Sequence, residues 1–285
     1  MLRPLAAVLP LVALTPAAAD DSPPPDKSGH TLFDPTPDDA LRAFAPDRPT
    51  KATGPTTVDA GHFQFETDIV SYVWDRRNEE KVASKSFVWF DPTLKLGLTN
   101  AIDAEISFVP YLTARATDER TGSVFRGEGL GDAVARLKVN LVGNDSGGIA
   151  AALVPWIKLP TAGEGLGNGQ VEGGVLAPLT FALGWDFSLE YQLALNALRN
   201  GLDDGAHLDV QNTLTLGHPV FDKGTAFIEL YQENGPDRGA RDIVTADLAF
   251  AYLLTDNLQL DTGVNFGLAR EAPDVNLYAG FAFRL

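Results

Sequence analysis

The chain has 285 residues, no cysteine and a net charge of −16, from 22 Lys and Arg against 38 Asp and Glu. This acidic balance argues against a nucleic-acid partner, because proteins that bind nucleic acids need basic surfaces to replace phosphate counterions. The lack of cysteine excludes a fold that is held together by disulfides.

The first nineteen residues have the pattern of a secretory signal peptide. Arg3 supplies a positive charge, residues 5–14 are apolar apart from Pro10, and the alanines at 17–19 precede two aspartates. This pattern predicts a signal peptide over residues 1–19 that is cleaved after Ala19. The apolar run is shorter than the roughly 20 residues of a membrane-spanning helix, so a membrane anchor is the weaker interpretation.

Residues 20–57 are rich in proline, aspartate and threonine. Proline lacks a backbone N–H and biases the preceding residue toward extended conformations, so regular structure is not expected here. Only residues 40–44 could form a single helical turn. We predict a disordered leader, a Pro-rich flexible periplasmic segment, ahead of a folded domain over residues 58–285.

From His62 onward, apolar and polar residues alternate, which places them on opposite faces of a strand. The clearest runs are 63–69, 102–108, 187–195 and 258–264. The alternating segments extend over about 10 to 14 residues, whereas ordinary strands have about five or six and a tilted strand needs about 9 to 11 to cross a bilayer. We predict an all-β fold, a closed antiparallel transmembrane β-barrel of about 12 strands, with about 10 to 14 possible.

The connections between these strands mostly alternate in length. Residues 75–84, 116–129 and 160–169 form long connections, whereas the connections near Gly184 and at 255–256 are very short. Bacterial outer-membrane barrels have long outer loops and tight periplasmic turns, and a soluble β-sandwich predicts no such alternation. An even number of strands also puts both chain ends on the periplasmic side. The pattern therefore predicts export to the bacterial cell outer membrane.

Two glycine-rich copies occur at residues 127–131 and 163–167. Neither has the Gly-x-Gly-x-x-Gly spacing of a phosphate-binding loop. Glycines at a strand entry and in an outer loop are the better interpretation.

Charged residues recur on one face of two predicted neighbouring strands. Asp103, Glu105 and Arg115 share a face on the third strand, and Asp132, Arg136 and Lys138 share one on the fourth. An Arg or Lys that faces lipid near the midplane costs about 2 to 4 kcal/mol. We therefore predict that the lumen is lined by Asp103, Glu105, Asp132, Arg136 and Lys138. Two roles stay open, a charged constriction that selects solutes and a salt-bridged plug.

No catalytic, cofactor or metal site is predicted. His207 and Asp209 lie beside Asp203 and Asp204, where a barrel protease would place an Asp/His pair, but the sequence offers no facing carboxylate pair on another strand. A lipase would need an adjacent Ser and His, and no His-x-Ser occurs. Without cysteine or closely spaced histidines, the chain also lacks the usual metal-ligand patterns.

Several stretches are similar to those of a known family. They are Asp47-Arg48-Pro49 with Thr53 and Thr57, residues 60–66, residues 129–132 with Lys138 and residues 140–141, residues 155–161, residues 261–268 and residues 279–281. Together they cover roughly residues 45 to 285, and the chain resembles the outer-membrane transporters associated with phenol meta-pathway degradation.

The resemblance implies an outer-membrane barrel that takes up small hydrophobic or aromatic compounds, with outer-membrane lipid and small-molecule solutes as its partners and no cofactor. The alternative is a non-transport barrel, either structural or hydrolytic. The sequence leaves the oligomeric state unknown.

Overall fold

The computed structural model describes residues 26–76, 78, 81–145, 147–201, 205–235 and 240–285. The predicted signal peptide, residues 1–19, lies outside these ranges. A short 3-10 turn, Asp38–Ala40, precedes fifteen strand segments. They are β1 Phe63–Asp75, β2 Val82–Trp89, β3 Thr93–Thr99, β4 Ile102–Phe108, β5 Tyr111–Asp118, β6 Val124–Gly129, β7 Ala133–Val142, β8 Ile149–Leu159, β9 Glu172–Ala182, β10 Ser188–Arg199, β11 Ala206–Phe221, β12 Gly224–Glu233, β13 Ile243–Thr255, β14 Leu258–Gly267 and β15 Val275–Arg284. None of the described helices is long and apolar enough to span a membrane.

The segments form one antiparallel sheet that closes on itself. The last segment, β15, pairs with β1, and Phe65 lies opposite Phe283 in this closing register. The result is a closed barrel with a wall of twelve strands, as the sequence predicts. Closure pairs the strand edges along most of the wall. A β-sheet protein in lipid needs this pairing, because no water is present there to bond free backbone groups.

Three of the twelve wall strands are interrupted, which explains why there are fifteen segments. The interruptions lie at residues 90–92, 109–110 and 130–132. As a result, β1 pairs with β3 through its first residues and with β2 through its last ones. Pro92 and Pro110 lie in the first two breaks, where the missing N–H prevents continuous pairing. The third break joins β6 to β7, so residues 124–129 extend the wall where the sequence predicts a connection.

The two faces of the wall differ in polarity. On β10, Leu195 is exposed on the outside, whereas Gln192 and Asn196 are buried inside. Three phenylalanines stack on the outer face: the ring centroid of Phe65 lies 5.7 Å from that of Phe281 and 5.2 Å from that of Phe283. Large apolar side chains are thus turned outward and polar side chains inward, the opposite of a water-soluble protein.

Residues 26–57, for which the sequence predicts a flexible periplasmic leader, instead lie in and against the barrel. Ala52 and Thr57 are buried, as are the next residues, Val58 and Asp59. Proline leaves this segment without its own ladder of hydrogen bonds, and the inward polar side chains of the strands bond its free backbone groups instead. The flexibility predicted for residues 26–57 is therefore wrong, whereas their periplasmic placement stays a prediction, and residues 20–25 lie outside the described ranges.

Candidate functional site

Residues 47–59, called the lumen segment below, cross the interior of the barrel. Their first anchor is Asp47, whose carboxylate accepts hydrogen bonds from Lys138 Nζ at 2.8 and 2.9 Å and from Lys95 Nζ. Glu105 Oε1 lies 3.5 Å from Lys138 Nζ and 3.9 Å from Lys95 Nζ. Glu66 Oε1 lies 2.5 Å from Lys95 Nζ. Two ammonium groups and three carboxylates thus face one another inside the barrel, where each charge has a partner.

Arg48 provides the second anchor. Its Nη2 atom lies 2.7 Å from Asp68 Oδ1 and 2.6 Å from Asp261 Oδ1. Gly280 makes room for this guanidinium, because a Cβ atom there would lie 2.3 Å from Arg48 Nη2. The next carbonyl, that of Pro49, accepts a hydrogen bond from the Tyr278 hydroxyl at 2.7 Å.

Lys51 provides the third anchor, on the far side of the barrel. Its Nζ atom lies 2.7 Å from Asp247 Oδ2 and 4.5 Å from the centre of the Tyr231 ring. The backbone N–H groups of Lys51 and Ala52 donate to the carboxylate of Glu229 at 3.0 and 3.3 Å. Strands on opposite sides of the wall therefore hold a single loop of the lumen segment.

A charged cluster closes the segment at the end of the barrel where the two chain termini lie. The carboxylate of Asp59 lies 3.2 Å from Lys27 Nζ, 3.3 Å from Arg42 Nη1 and 3.6 Å from Arg284 Nη1. Arg42 Nε also donates to Asp145 in the turn between β7 and β8 at 2.9 Å. Burial alone would raise the pKa of Asp145, but hydrogen bonds from Asn100 and Lys27 and the charge of Arg42 lower it below its usual value.

Asp47 is the titratable centre of the lumen segment. Burial alone would raise its pKa, but the ammonium groups of Lys138 and Lys95 outweigh burial and lower the pKa to about 2. The carboxylate therefore stays ionised at neutral pH and keeps both lysines bound to the segment.

The structure brings three of the five predicted lumen residues together at the lumen segment. Asp103 Oδ2 accepts a hydrogen bond from the Val58 N–H at 2.8 Å, and it is paired across the strands with Lys138. Glu105 completes this group through the contacts to Lys138 and Lys95. These contacts are those expected of a salt-bridged plug, one of the two roles left open by the sequence.

The other two predicted residues lie apart from the lumen segment. Arg136 Nη1 donates to Ser107 Oγ at 2.6 Å. Asp132 lies 3.3 Å from Lys158 Nζ and accepts the Ala162 N–H at 3.0 Å. Whether any of the five residues governs permeation stays a prediction.

Sequence reasoning missed the wall residues Lys95, Glu229, Asp247 and Asp261. Each occupies the polar position of an alternating strand, and this signal could have identified them. It could not have paired them with the lumen segment, since Arg48 and Asp261 are 213 residues apart in sequence.

Arg115 does not share a face with Asp103 and Glu105, contrary to the sequence analysis. The break at residues 109–110 inserts a residue between β4 and β5, so that the alternation changes phase. Leu112 lies opposite Val88, and Val88 lies opposite Ser71, so the three side chains share one face of the wall. This is the lumen face, where the Ser71 hydroxyl bonds to Asn276. On β5 the apolar residues therefore face inward and Arg115 faces outward.

The hairpin formed by β5 and β6 consequently has an apolar inner surface. It is called the extracellular hairpin below because it lies at the end where the sequence predicts outer loops. A Cβ atom on Gly127 would lie 2.8 Å from a Leu166 methyl and 2.9 Å from the Phe125 ring. A Cβ atom on Gly131 would lie 3.3 Å from Leu112. The two glycine-rich copies of the sequence thus meet here, and the missing side chains let Phe125 and Leu166 pack closely.

The wall is interrupted beside this hairpin. Strand β8 ends at Leu159, opposite Ala133, and in the described part of the chain β6 pairs only with β5. The loop after β8 bridges the interruption, where the Gly163 N–H donates to the Leu130 carbonyl at 2.9 Å. One loop rather than a strand ladder therefore separates the inner apolar surface from the outside.

The suspected Asp/His pair has no catalytic geometry among the described residues. His207 Nδ1 lies 2.8 Å from Asn200 Oδ1. Asp203 and Asp204 lie outside the residues that the structure describes.

Residues 46–285 match the family described as "Putative MetA-pathway of phenol degradation". No curated protein matches the sequence. An outer membrane channel of Pseudomonas putida F1 has a similar structure, with a TM-score of 0.64 and 14% identity over 83% of this chain and 100% of that chain.

Two further solved structures share the fold. The β domain of the Bordetella autotransporter BrkA gives a TM-score of 0.54 at 15% identity, over 79% of this chain and 99% of its own. The NanC porin gives 0.50 at 8% identity, over 78% of this chain and 100% of its own. At these identities the likeness establishes the barrel fold and nothing finer.

Proposed function

We propose, for a chain that belongs to the family described as "Putative MetA-pathway of phenol degradation", that it is an outer-membrane channel for small hydrophobic or aromatic compounds. The apolar inner surface of the extracellular hairpin carries this proposal, because it offers such a solute a binding surface above a polar lumen. The family and the barrel fold support the placement in the outer membrane.

The central lumen is a poor path for an apolar solute. The lumen segment crosses the lumen, and the ion pairs of Asp47, Arg48 and Lys51 line the space around this segment with charged groups. An apolar solute gains nothing from leaving water for such a surface, since the hydrophobic effect requires apolar contacts. The lumen segment would also have to leave its partners before a solute of the size of an aromatic ring could pass.

The interruption beside β6 offers a shorter path. A solute bound near Phe125 and Leu166 is separated from the outer, lipid-facing side by the loop that contacts Leu130 through Gly163. Movement of this loop would connect the apolar inner surface with the hydrocarbon of the membrane. The proposed route therefore runs from the extracellular hairpin sideways through the wall.

A disulfide between residues 130 and 163 tests the route. The Gly163 N–H donates to the Leu130 carbonyl at 2.9 Å, so the two backbones are adjacent, and a disulfide or a short reducible thiol cross-linker can join cysteines placed at these positions. The chain has no other cysteine, so the double variant Leu130→Cys and Gly163→Cys forms one defined bridge. Uptake of the fluorescent probe N-phenyl-1-naphthylamine by cells that make the protein is expected to fall to the level of the empty vector when the bridge is oxidised, and to recover on reduction.

The cysteine-free protein under the same oxidant and reductant, together with the two single variants, is the control. Unchanged uptake in the fully oxidised variant would overturn the lateral route and favour the central lumen. Wild-type uptake no higher than that of the empty vector would refute the hydrophobic-solute channel and favour the structural or hydrolytic barrel.

A further inference from the structure

We propose that the outer face of the extracellular hairpin binds the phosphate groups of lipopolysaccharide through Lys85, Arg115 and Arg126. This site is distinct from the solute route, and it rests on the outer-membrane placement proposed above. Three observations carry it: the alignment of the three cations, their lack of partners among the described residues, and their height on the barrel.

The three cations form one row across neighbouring strands. In the register of the wall, Lys85 on β2 lies opposite Arg115 on β5, and Arg115 lies opposite Arg126 on β6. The row continues to Trp74 on β1. All three cations face outward, and directly opposite side chains in a sheet lie about 5 Å apart at Cβ. The three positive charges therefore lie on three neighbouring strands, within roughly 10 Å of one another.

Such a row is unfavourable by itself, because like charges directly opposite each other repel. Among the described residues, none of the three cations has an ion pair or a side-chain hydrogen bond. The carboxylates nearby already have partners. Glu128 accepts the hydroxyl of Tyr111 at 3.1 Å, Asp118 binds Arg120 at 3.3 Å, and Glu119 lies 3.7 Å from Arg76. An anion from outside the chain would complete the row.

Aromatic residues fix the height of the row relative to the membrane. Tyr72 and Phe87 contact each other on the outer face at 4.6 Å, and Phe87 stacks on Trp89 at 6.0 Å between ring centroids. Tyr111 is paired with Trp89 across the strands. Belts of aromatic side chains mark the level of the lipid headgroups in barrels.

Lys85 lies two residues beyond Phe87 and four beyond Trp89, and Arg115 lies four residues beyond Tyr111, in both cases away from the chain termini. Two to four residues of a strand span roughly 7 to 13 Å, somewhat less in height because the strand is tilted. The row therefore stands just above the hydrocarbon, where the outer leaflet carries the phosphates of lipopolysaccharide. Guanidinium groups bind phosphate through two parallel hydrogen bonds, which makes Arg115 and Arg126 suitable partners.

The test is binding of purified lipopolysaccharide to the purified barrel in detergent, with the triple variant Lys85→Gln, Arg115→Gln and Arg126→Gln. The matched control, Arg120→Gln, Arg199→Gln and Arg270→Gln, removes the same charge from exposed positions outside the row. We expect the row variant to bind at least tenfold more weakly and the control to bind as the wild type does. Enzymatically dephosphorylated lipopolysaccharide should bind the wild type as weakly as the row variant binds the intact glycolipid.

Equal binding by the row variant and the wild type would overturn the proposal. Equally effective competition by phosphatidylglycerol vesicles or inorganic phosphate would overturn it too, since the row would then be a general anion surface. The heat-dependent gel mobility of each variant reports barrel folding, and the variant with only Lys85→Gln provides a milder change with a smaller expected loss. Binding does not depend on uptake, so a failure of the channel proposal leaves this measurement interpretable.

Discussion

The lumen around residues 47–59 and the extracellular hairpin use the two faces of the wall in opposite ways. Around the lumen segment, charged side chains such as Lys138 and Asp261 point inward and bind it. In the hairpin, the charge of Arg115 points outward, and the apolar side chains of Leu112 and Phe125 face inward.

Short interruptions of the strands separate these two regions. The residues at 109–110 lie between β4 and β5, and a one-residue change of phase exchanges the two faces of a strand. The same alternation of polar and apolar residues therefore gives a polar inner face around the lumen segment and an apolar inner face in the hairpin. The comparison predicts that substitutions in the lower lumen act on the seating of the segment, and that substitutions on the outside act on membrane insertion.

The largest effect is expected from Arg48→Ala. The change leaves Asp68 and Asp261 facing each other without their cation, and breaking a buried pair from one side typically costs about 3 to 5 kcal/mol. The barrel itself should stay folded, because its strand ladders are untouched. Limited proteolysis in detergent should cut residues 26–57 readily in the variant and slowly in the wild type.

Arg120→Gln, which removes an exposed cation from the loop after β5, is the control for Arg48→Ala. Rapid cutting of residues 26–57 in the wild type would show that the lumen segment is not held in place by its charges.

Next in size is the difference between two adjacent residues of β10. Leu193 faces outward, whereas Gln192 is buried inside and accepts the Thr53 N–H at 2.9 Å. Leu193→Arg places a charge in lipid at a cost of about 2 to 4 kcal/mol near the midplane. We expect a reduced folding yield in lipid vesicles for Leu193→Arg, and a normal yield for Gln192→Arg with a loosened lumen segment.

The yields are compared by heat-dependent gel mobility after refolding. If both variants refold equally well, the inside and outside of β10 are assigned incorrectly.

Alternation predicts the continuous strands well, and on β10 and β14 the apolar and polar residues lie on opposite faces, as the sequence analysis expects. It failed where a strand is interrupted, because a short insertion changes the phase without changing the composition. For this reason the pattern places Arg115 on the wrong face and predicts a connection at residues 124–129.

The lumen segment was mislocated for a different reason. Proline removes backbone donors in a disordered tail and in a segment bound inside a barrel alike. What distinguishes the two is the set of side chains that receive the segment, and these come from strands as distant in sequence as Asp247 and Asp261. The sequence predicts that Asp103, Glu105 and Lys138 line the lumen, but it does not indicate that they bind the lumen segment.

A smaller effect is expected from acid. The pKa of Asp47 is lowered to about 2, whereas an unfolded aspartate titrates near 3.8. A lowered folded-state pKa stabilises the seated segment above the unfolded value, and this contribution, roughly 2 kcal/mol, is lost as pH falls from about 4 toward 2. Proteolysis by pepsin should reach residues 26–57 faster across this interval. Asp47→Asn should show a weaker pH dependence there, and an equal dependence in both proteins would exclude Asp47 as its source.

The smallest expected effect concerns ion selectivity. Arg136 donates to Ser107 and forms no ion pair within the described residues, with Asp91 as a charged neighbour, so we expect its charge to act on passing ions. Lys138 is instead neutralised by Asp47 and Glu105. Removing one charge about 4 Å from an ion in a water-filled lumen changes its energy by about 1 kcal/mol, or the permeability ratio by roughly fivefold at most.

Single-channel reversal potentials in asymmetric salt would test this assignment for Arg136→Gln, Lys138→Gln and the double variant. Arg136→Gln should raise the preference for cations, because the wall around it is rich in carboxylates. Lys138→Gln should mainly raise the conductance, since it loosens the contact to Asp47, and the double variant should show both changes. An equal shift in selectivity from each single variant would mean that both cations face the ion path, and that the lumen segment does not cover Lys138 in the conducting state.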